Sequence, residues 1–303
     1  MQDSLDPRLF DTREAAPSDP RDVENVDPRD AFTQGLDLPR SRERERVYVH
    51  EHEYELRGSE VRALATIGAF RVVPASDLRD DAGRSGDLWH GDLDRLRTED
   101  LIRTVTPMDR EAPTTLVALT ERGRDVLETH RTHGHEPVQI FYADGIRTRE
   151  LAHDSQLYRA YLRSADRLNA QGARIDRVVL DDELKREYQQ FLQEANRDRS
   201  DADGRPARTR EEIDEWAHSH DLPMLDDHVQ FPDLRIEYEW PDGRHEVENV
   251  EVLTPHYRGA HAAAKAASGF TSYRSGGARV GGRGNRGGSG RPFDPELAEE
   301  FLE

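Results

Sequence analysis

Apolar side chains in this chain fall into two periodic blocks separated by polar stretches. Residues 1–46 show neither a helical nor a strand period. Asp-Pro-Arg recurs at Asp6, Asp19 and Asp27, and the mixed run Arg42–Arg46 leads into the first block, so 1–46 reads as a disordered acidic tail. From Arg57 the pattern changes. Val61, Leu64 and Ala65 mark one face of a helix that Val72-Val73-Pro74 ends, and Ala75–Asp80 makes a short turn around Leu78. Trp89, Leu93 and Leu96 recur at i, i+4, i+7, which predicts a helix with one buried stripe over about Asp87–Thr98. Two β-like runs follow, Leu101–Val105 and Thr115–Leu119. Thr120 then caps a helix that turns Val126 and Leu127 inward. Helix, short helix, helix, two-stranded wing, helix is the order of a winged helix-turn-helix, here spanning 47–135.

The second block, 150–274, opens with a helix capped by Asp154, whose apolar positions Leu157, Tyr158, Tyr161, Leu162, Ala165 and Leu168 keep a period of 3.6. Gly172 stops it. Ile175–Leu180 reads as a strand, Leu184, Tyr188, Phe191 and Leu192 as a helical face, and 195–210 as an exposed insertion before a short helix around Ile213 and Trp216. Leu234, Ile236, Tyr238 and Trp240 alternate with charged residues, the mark of a half-buried strand. Pro241-Asp242-Gly243 turns the chain into a partner strand through Val247, Val250 and Val252, where a slip in phase suggests a bulge. A helix is expected from about Tyr257 to Tyr273, carrying Lys265. The fold class is therefore α+β or α/β: an N-terminal winged helix-turn-helix followed by an α/β domain, with a Gly/Arg-rich tail at 275–303 that ends in a short helix.

Composition narrows the function. With 303 residues, about two domains fit; no apolar run reaches the roughly 18–20 residues of a membrane span, no secretory leader is visible, and cysteine is absent, so a cytoplasmic setting is expected. The formal charge of −19 argues against phosphate binding by the chain as a whole. Charge is segregated, however: Arg274–Arg291 carries five arginines and no acid. That tail suits single-stranded DNA, and equally a plain linker. In a winged helix the third helix enters the major groove and the wing touches phosphates. His90, Arg95, Arg97, Arg103 and Arg110 are thus the candidate contacts to double-stranded DNA, although Asp87, Asp92, Asp94 and Glu99 on or beside that helix suit protein docking instead. His130, His133 and His135, like His50 and His52, read as solvated histidines and not as a metal site.

Pro232-Asp233, a hairpin, Glu251 on its second strand and a nearby lysine are the parts of a PD-(D/E)xK nuclease. Two carboxylates at adjacent strand ends hold Mg²⁺, which polarises the phosphate and activates water, while a lysine orients the nucleophile. Asp233 and Glu251 are the candidate metal ligands, Glu183 a third acid, and Lys265 the amine. Position 253, where the motif wants lysine, is Leu253.

Taken together, Leu56–Leu127, the His153-Asp154 helix start, Phe231-Pro232-Asp233, and Val250-Glu251-Val252 with Tyr257 and Lys265 beyond resemble the replication-relaxation family of bacterial and archaeal mobile elements. The resemblance covers about 47–274. It implies a winged helix joined to a restriction-endonuclease-like α/β domain, and a role in plasmid or integrative-element replication, relaxation or transfer. The alternatives are a non-catalytic transcriptional regulator, using its α/β domain to form a homodimer or bind a partner, and a protein-interaction adaptor.

Overall fold

A computed structural model describes residues 27–106, 115–134, 137–143, 145–148, 150–195, 208–253 and 268–274. The chain is mixed α+β. Its first described element is a 3-10 helix, Pro28–Thr33, inside the stretch expected to be disordered. Asp27 caps it, accepting the Arg29 amide at 3.0 Å and the Arg29 guanidinium at 2.9 Å. Order here comes from Phe32, which is 1% exposed. Its ring lies 5.5 Å from Phe70 and 5.1 Å from Tyr161, and Phe70 lies 5.3 Å from Tyr158. Each such pair adds about 0.5–1.5 kcal/mol beyond the area it buries. A lone phenylalanine among polar residues leaves no period to detect.

Strands β1 (Glu45–Val49) and β2 (His52–Leu56) form a hairpin and lead into helix α1 (Gly58–Ala69). A Cβ at position 58 would stand 2.4 Å from the Arg40 carbonyl oxygen, so only glycine lets that segment lie across the helix start. Strand β3 (Val73–Pro74), a 3-10 turn (Ala75–Asp77), helix α2 (Gly91–Thr98), β4 (Ile102–Val105), β5 (Leu116–Leu119) and helix α3 (Glu121–Thr129) follow. Strand β5 lies between β3 and β4, antiparallel to both. Helix α2 begins later than expected because Asp87 and His90 close a bridged turn first. Leu93 and Leu96, 2% and 0% exposed, fasten it to the core, whereas Trp89, the first member of the expected buried stripe, precedes the helix and is 72% exposed.

Helix α4 (Leu151–Ala170) then packs on a four-stranded sheet of order β11-β10-β9-β6. Its members are β6 (Arg174–Leu180), β9 (Leu234–Glu239), β10 (His245–Leu253) and β11 (Thr271–Arg274). Strand β9 lies between β6 and β10 and is antiparallel to both, and β11 runs parallel to β10. Helices α5 (Asp181–Glu194) and α6 (Arg210–Ser219), with the small hairpin of β7 (Met224–Leu225) and β8 (His228–Val229), complete this half. One sheet face, with Val178, Ile236, Val250 and Val252, joins Leu157, Tyr161 and Leu168 of α4 in a core that continues without a break into Leu64 and Phe70 of the N-terminal half. A second cluster on the other side gathers Val179, Leu184, Trp216 and Leu222.

Three further sequence expectations change. Asp154 does not cap helix α4: the N-cap is Glu150 and Asp154 is a buried residue of the first turn. Strand β10 holds an unbroken register against β9, from His245↔Glu239 to Val250↔Leu234, so it has no bulge there; the irregularity lies in β6, between Ile175 and Arg177. The slip in phase reflects Glu248, a buried acid opposite Ile236 that Ser164 (3.2 Å) and Arg167 of α4 satisfy. The helix expected from about Tyr257 does not extend to Tyr273, because Thr271–Arg274 is a strand, and the rest of its expected span up to residue 267 lies outside the described residues. The outer edge of β6 is closed by the loop 137–143. The Gln139 amide donates to the Val178 carbonyl at 3.0 Å and accepts the Val178 amide at 2.9 Å.

Candidate functional site

The antiparallel register gathers the candidate acids at one end of the sheet. Leu180 of β6 and Val250 of β10 both pair with Leu234, so the end of β6, the start of β9 and the end of β10 coincide. One step further along that register, Asp233 stands across from Glu251. The two are 9% and 1% exposed. Helix α5 starts at this same end, and the N-terminal turn of α4 reaches it as well.

The Asp233 carboxylate is committed to the protein. Its Oδ2 accepts the Val252 amide at 2.8 Å and lies 3.0 Å from His153 Nε2. The other ring nitrogen, His153 Nδ1, is 3.3 Å from Asp154 Oδ1. Burial pulls the imidazole toward neutrality, but the bonds and charges of Asp154 and Asp233 outweigh it and raise its pKa to about 10. His153 is therefore an imidazolium clasped between two buried carboxylates.

The chain of charges continues into the N-terminal half. Arg71, just beyond α1 and 5% exposed, lies 3.9 Å from Asp154, 3.3 Å from Asp181 and 2.9 Å from Asp182. It holds a left-handed backbone (φ 60°), uncommon for a residue with a side chain. Its guanidinium sits 5.2 Å from the centre of the Tyr142 ring, and the Tyr142 hydroxyl donates to Glu183 at 3.5 Å. Burial raises the Glu183 carboxyl to about 7, against the pull of Arg177 at 3.0 Å; Glu187 and Glu237 push it further up. Arg177 also binds Glu237 at 2.7 Å. Glu183 thus belongs to an ion network with Arg177 and Tyr142.

These donors fit a Mg²⁺ centre poorly. A divalent cation wants open carboxylate oxygens and room for water, yet Asp233 is engaged by an imidazolium and an amide, and Glu251 is sealed from solvent. Among the described residues no group of three or more His, Asp or Glu is arranged to hold a metal ion. Leu253 stands where the motif wants lysine, and Lys265 lies outside the described residues. His130 Nδ1 is spent on the Val126 carbonyl at 2.9 Å, and His135 lies outside the described residues.

The expected DNA contacts are placed around α2 and β4. His90 is exposed and 3.1 Å from Asp87. Arg95 lies 3.6 Å from Glu55 and 3.9 Å from Glu99, while Arg97 lies 2.8 Å from Asp94. Arg103 is exposed and donates to the Ala143 carbonyl at 3.4 Å; Arg110 lies outside the described residues. Asp92, expected on the exposed side of the helix, is 9% exposed and anchors Arg57 at 3.1 Å. Each described basic candidate thus has an intramolecular partner.

Arg71, Tyr142 and Arg177 carry no signal in the sequence, because their partners are distant along the chain. His153 was visible only through the family resemblance. Among the described residues no helix is long and apolar enough to cross a membrane. Compared with family models, curated proteins and solved structures, the chain gives no match.

Proposed function

We propose that this is a DNA-binding protein serving replication, relaxation or transfer of a plasmid or integrative element. In this reading a winged helix is joined to a restriction-endonuclease-like scaffold whose acids hold the fold together and do not carry out hydrolysis. The observation that supports DNA binding most is the helix α2, held from beneath by Leu93 and Leu96, with the β4–β5 hairpin beside it and α3 closing the unit. Support for the scaffold comes from Asp233 and Glu251 meeting where β9 and β10 adjoin, next to the parallel strand β11. Support for its inactivity comes from the His153 clasp on Asp233.

Fluorescence anisotropy with duplex and single-stranded DNA over a salt series tests the binding half. Affinity is expected to fall as salt rises, and to weaken when Arg95 and Arg97 are replaced. A plasmid-nicking assay with and without Mg²⁺ tests the other half, and no cleavage is expected. Mg²⁺-dependent nicking that disappears in Asp233→Ala and Glu251→Ala would overturn the inactive reading. A second reading, a protein-interaction adaptor, draws on the acid partners of Arg95 and Arg97. It requires no DNA binding at any salt concentration.

A further inference from the structure

Resting on the DNA-binding reading and deepening it, we infer that Trp89 and Arg97 form a stacking platform for an unpaired nucleobase, so that single-stranded or locally melted DNA is the ligand of the α2 surface. Trp89 is 72% exposed; with Tyr48, at 57%, it is one of two large apolar side chains that stand out in solvent among the described residues. It does not hang loosely. The Trp89 amide donates to Asp87 Oδ1 at 2.8 Å, Asp87 and His90 form a bridge, and neighbouring Leu88 packs against the core. The Arg97 guanidinium lies 5.0 Å from the centre of the indole. It is itself fixed by the Leu88 carbonyl at 3.2 Å and by Asp94 at 2.8 Å. The indole is thus held at the start of α2 with a cation against one side and the remainder exposed. A flat, rigid, solvated ring of this kind offers stacking energy at small entropic cost.

Electrostatics chooses between duplex and single strand. From 87 to 99 the chain carries Asp87, Asp92, Asp94 and Glu99 against Arg95 and Arg97, and both arginines have acid partners. Duplex affinity comes mainly from cations that displace counterions from closely spaced phosphates, and this surface has few to give. Stacking on an aromatic ring adds energy that does not come from neutralising phosphates, and it needs an exposed base face, which a paired duplex withholds and a single strand supplies. Tyr48 stands on the outer side of the β1–β2 hairpin, which Glu55 ties to α2 through Arg95, and offers a second ring on the adjoining element.

Tryptophan fluorescence of the full chain reads this directly, since Trp216 and Trp240 are buried or partly buried and Trp89 is the exposed reporter. Titration with an oligothymidine of about 20 nucleotides should quench emission, whereas a duplex of equal length should quench it far less. Trp89→Ala should weaken single-strand binding about 5- to 150-fold, which corresponds to ~1–3 kcal/mol, and Trp89→Phe should recover part of the loss. Because the side chain is exposed, both variants should keep the far-UV circular dichroism of the parent. Unchanged single-strand affinity in Trp89→Ala, or tighter duplex binding without quenching, would overturn the platform while leaving DNA binding intact. Absence of binding to either form would overturn the DNA-binding reading as well.

Discussion

Replacing His153 with glutamine keeps a side chain able to donate to Asp233 but removes the charge that reconciles two buried carboxylates. Asp154 and Asp233, 3% and 9% exposed, would then face one another across a neutral group, with Arg71 remaining 3.9 Å from Asp154. Removing one partner of a buried ion pair costs about 3–5 kcal/mol. His153 keeps 25% of its side-chain exposure, so the lower part of that range, ~3 kcal/mol, is expected. The pH dependence is sharper evidence. An imidazole whose pKa rises from 6.5 in the unfolded chain to about 10 in the folded one contributes stability that is complete below pH 6.5 and lost as pH climbs through 10. Urea unfolding followed by circular dichroism at intervals between pH 7.5 and 10 should therefore show the parent losing on the order of 3 kcal/mol. His153→Gln should be nearly flat over the same window. Equal slopes for the two proteins, or a variant as stable as the parent at pH 7, would refute the clasp.

Glu183 titrates with the opposite charge type but the same sign. Its carboxyl is raised to about 7, so its contribution is present below pH 4.5 and falls away as pH rises through 7. Glu183→Gln should abolish that fall, of about 2–3 kcal/mol, in unfolding curves measured from pH 5 to 8. Arg71→Ala removes the cation that Asp154, Asp181 and Asp182 share, leaving Asp154 to His153 and Asp181 to Lys185, and should cost about 3 kcal/mol, the lower end for a broken buried pair. A double-mutant cycle with Asp154→Asn should show coupling of at least ~0.5 kcal/mol, and strict additivity would break the proposed chain of charges. Phe32→Ala should cost about 3–5 kcal/mol in thermal or urea unfolding, whereas a residue in a disordered tail would cost nothing.

What the sequence disclosed was local. Leu234, Ile236 and Tyr238 alternate strictly because one face of β9 meets α4, and the 3.6 period of α4 is the other side of that contact. Where a buried position holds a polar residue satisfied from afar, the pattern misleads. Glu248 sits among apolar neighbours only because Ser164 and Arg167, more than 80 positions earlier, receive it. Phe32 gave no signal for a similar reason, since its partners Phe70 and Tyr161 are 38 and 129 positions away. Asp233 and Glu251 were legible as candidates from motif spacing. Their commitment to His153 and Val252 was not, because the imidazolium comes from a helix 80 positions earlier. The acid partners of Arg95 and Arg97 likewise turn apparent free cations into internal ties.

The glutamine that borders β6 has a structural consequence of its own. A primary amide carries N–H donors and a carbonyl acceptor in the same plane; Gln139 gives one donor and the acceptor to Val178, as a neighbouring backbone would, and its Nε2 also donates to the Ile140 carbonyl at 3.0 Å. That margin of the sheet is capped by an amino-acid side chain imitating main chain, so a foreign strand seeking to pair beside Val178 must first evict it. Among the described residues the opposite margin is β11, Thr271–Arg274, which has no such side-chain cap.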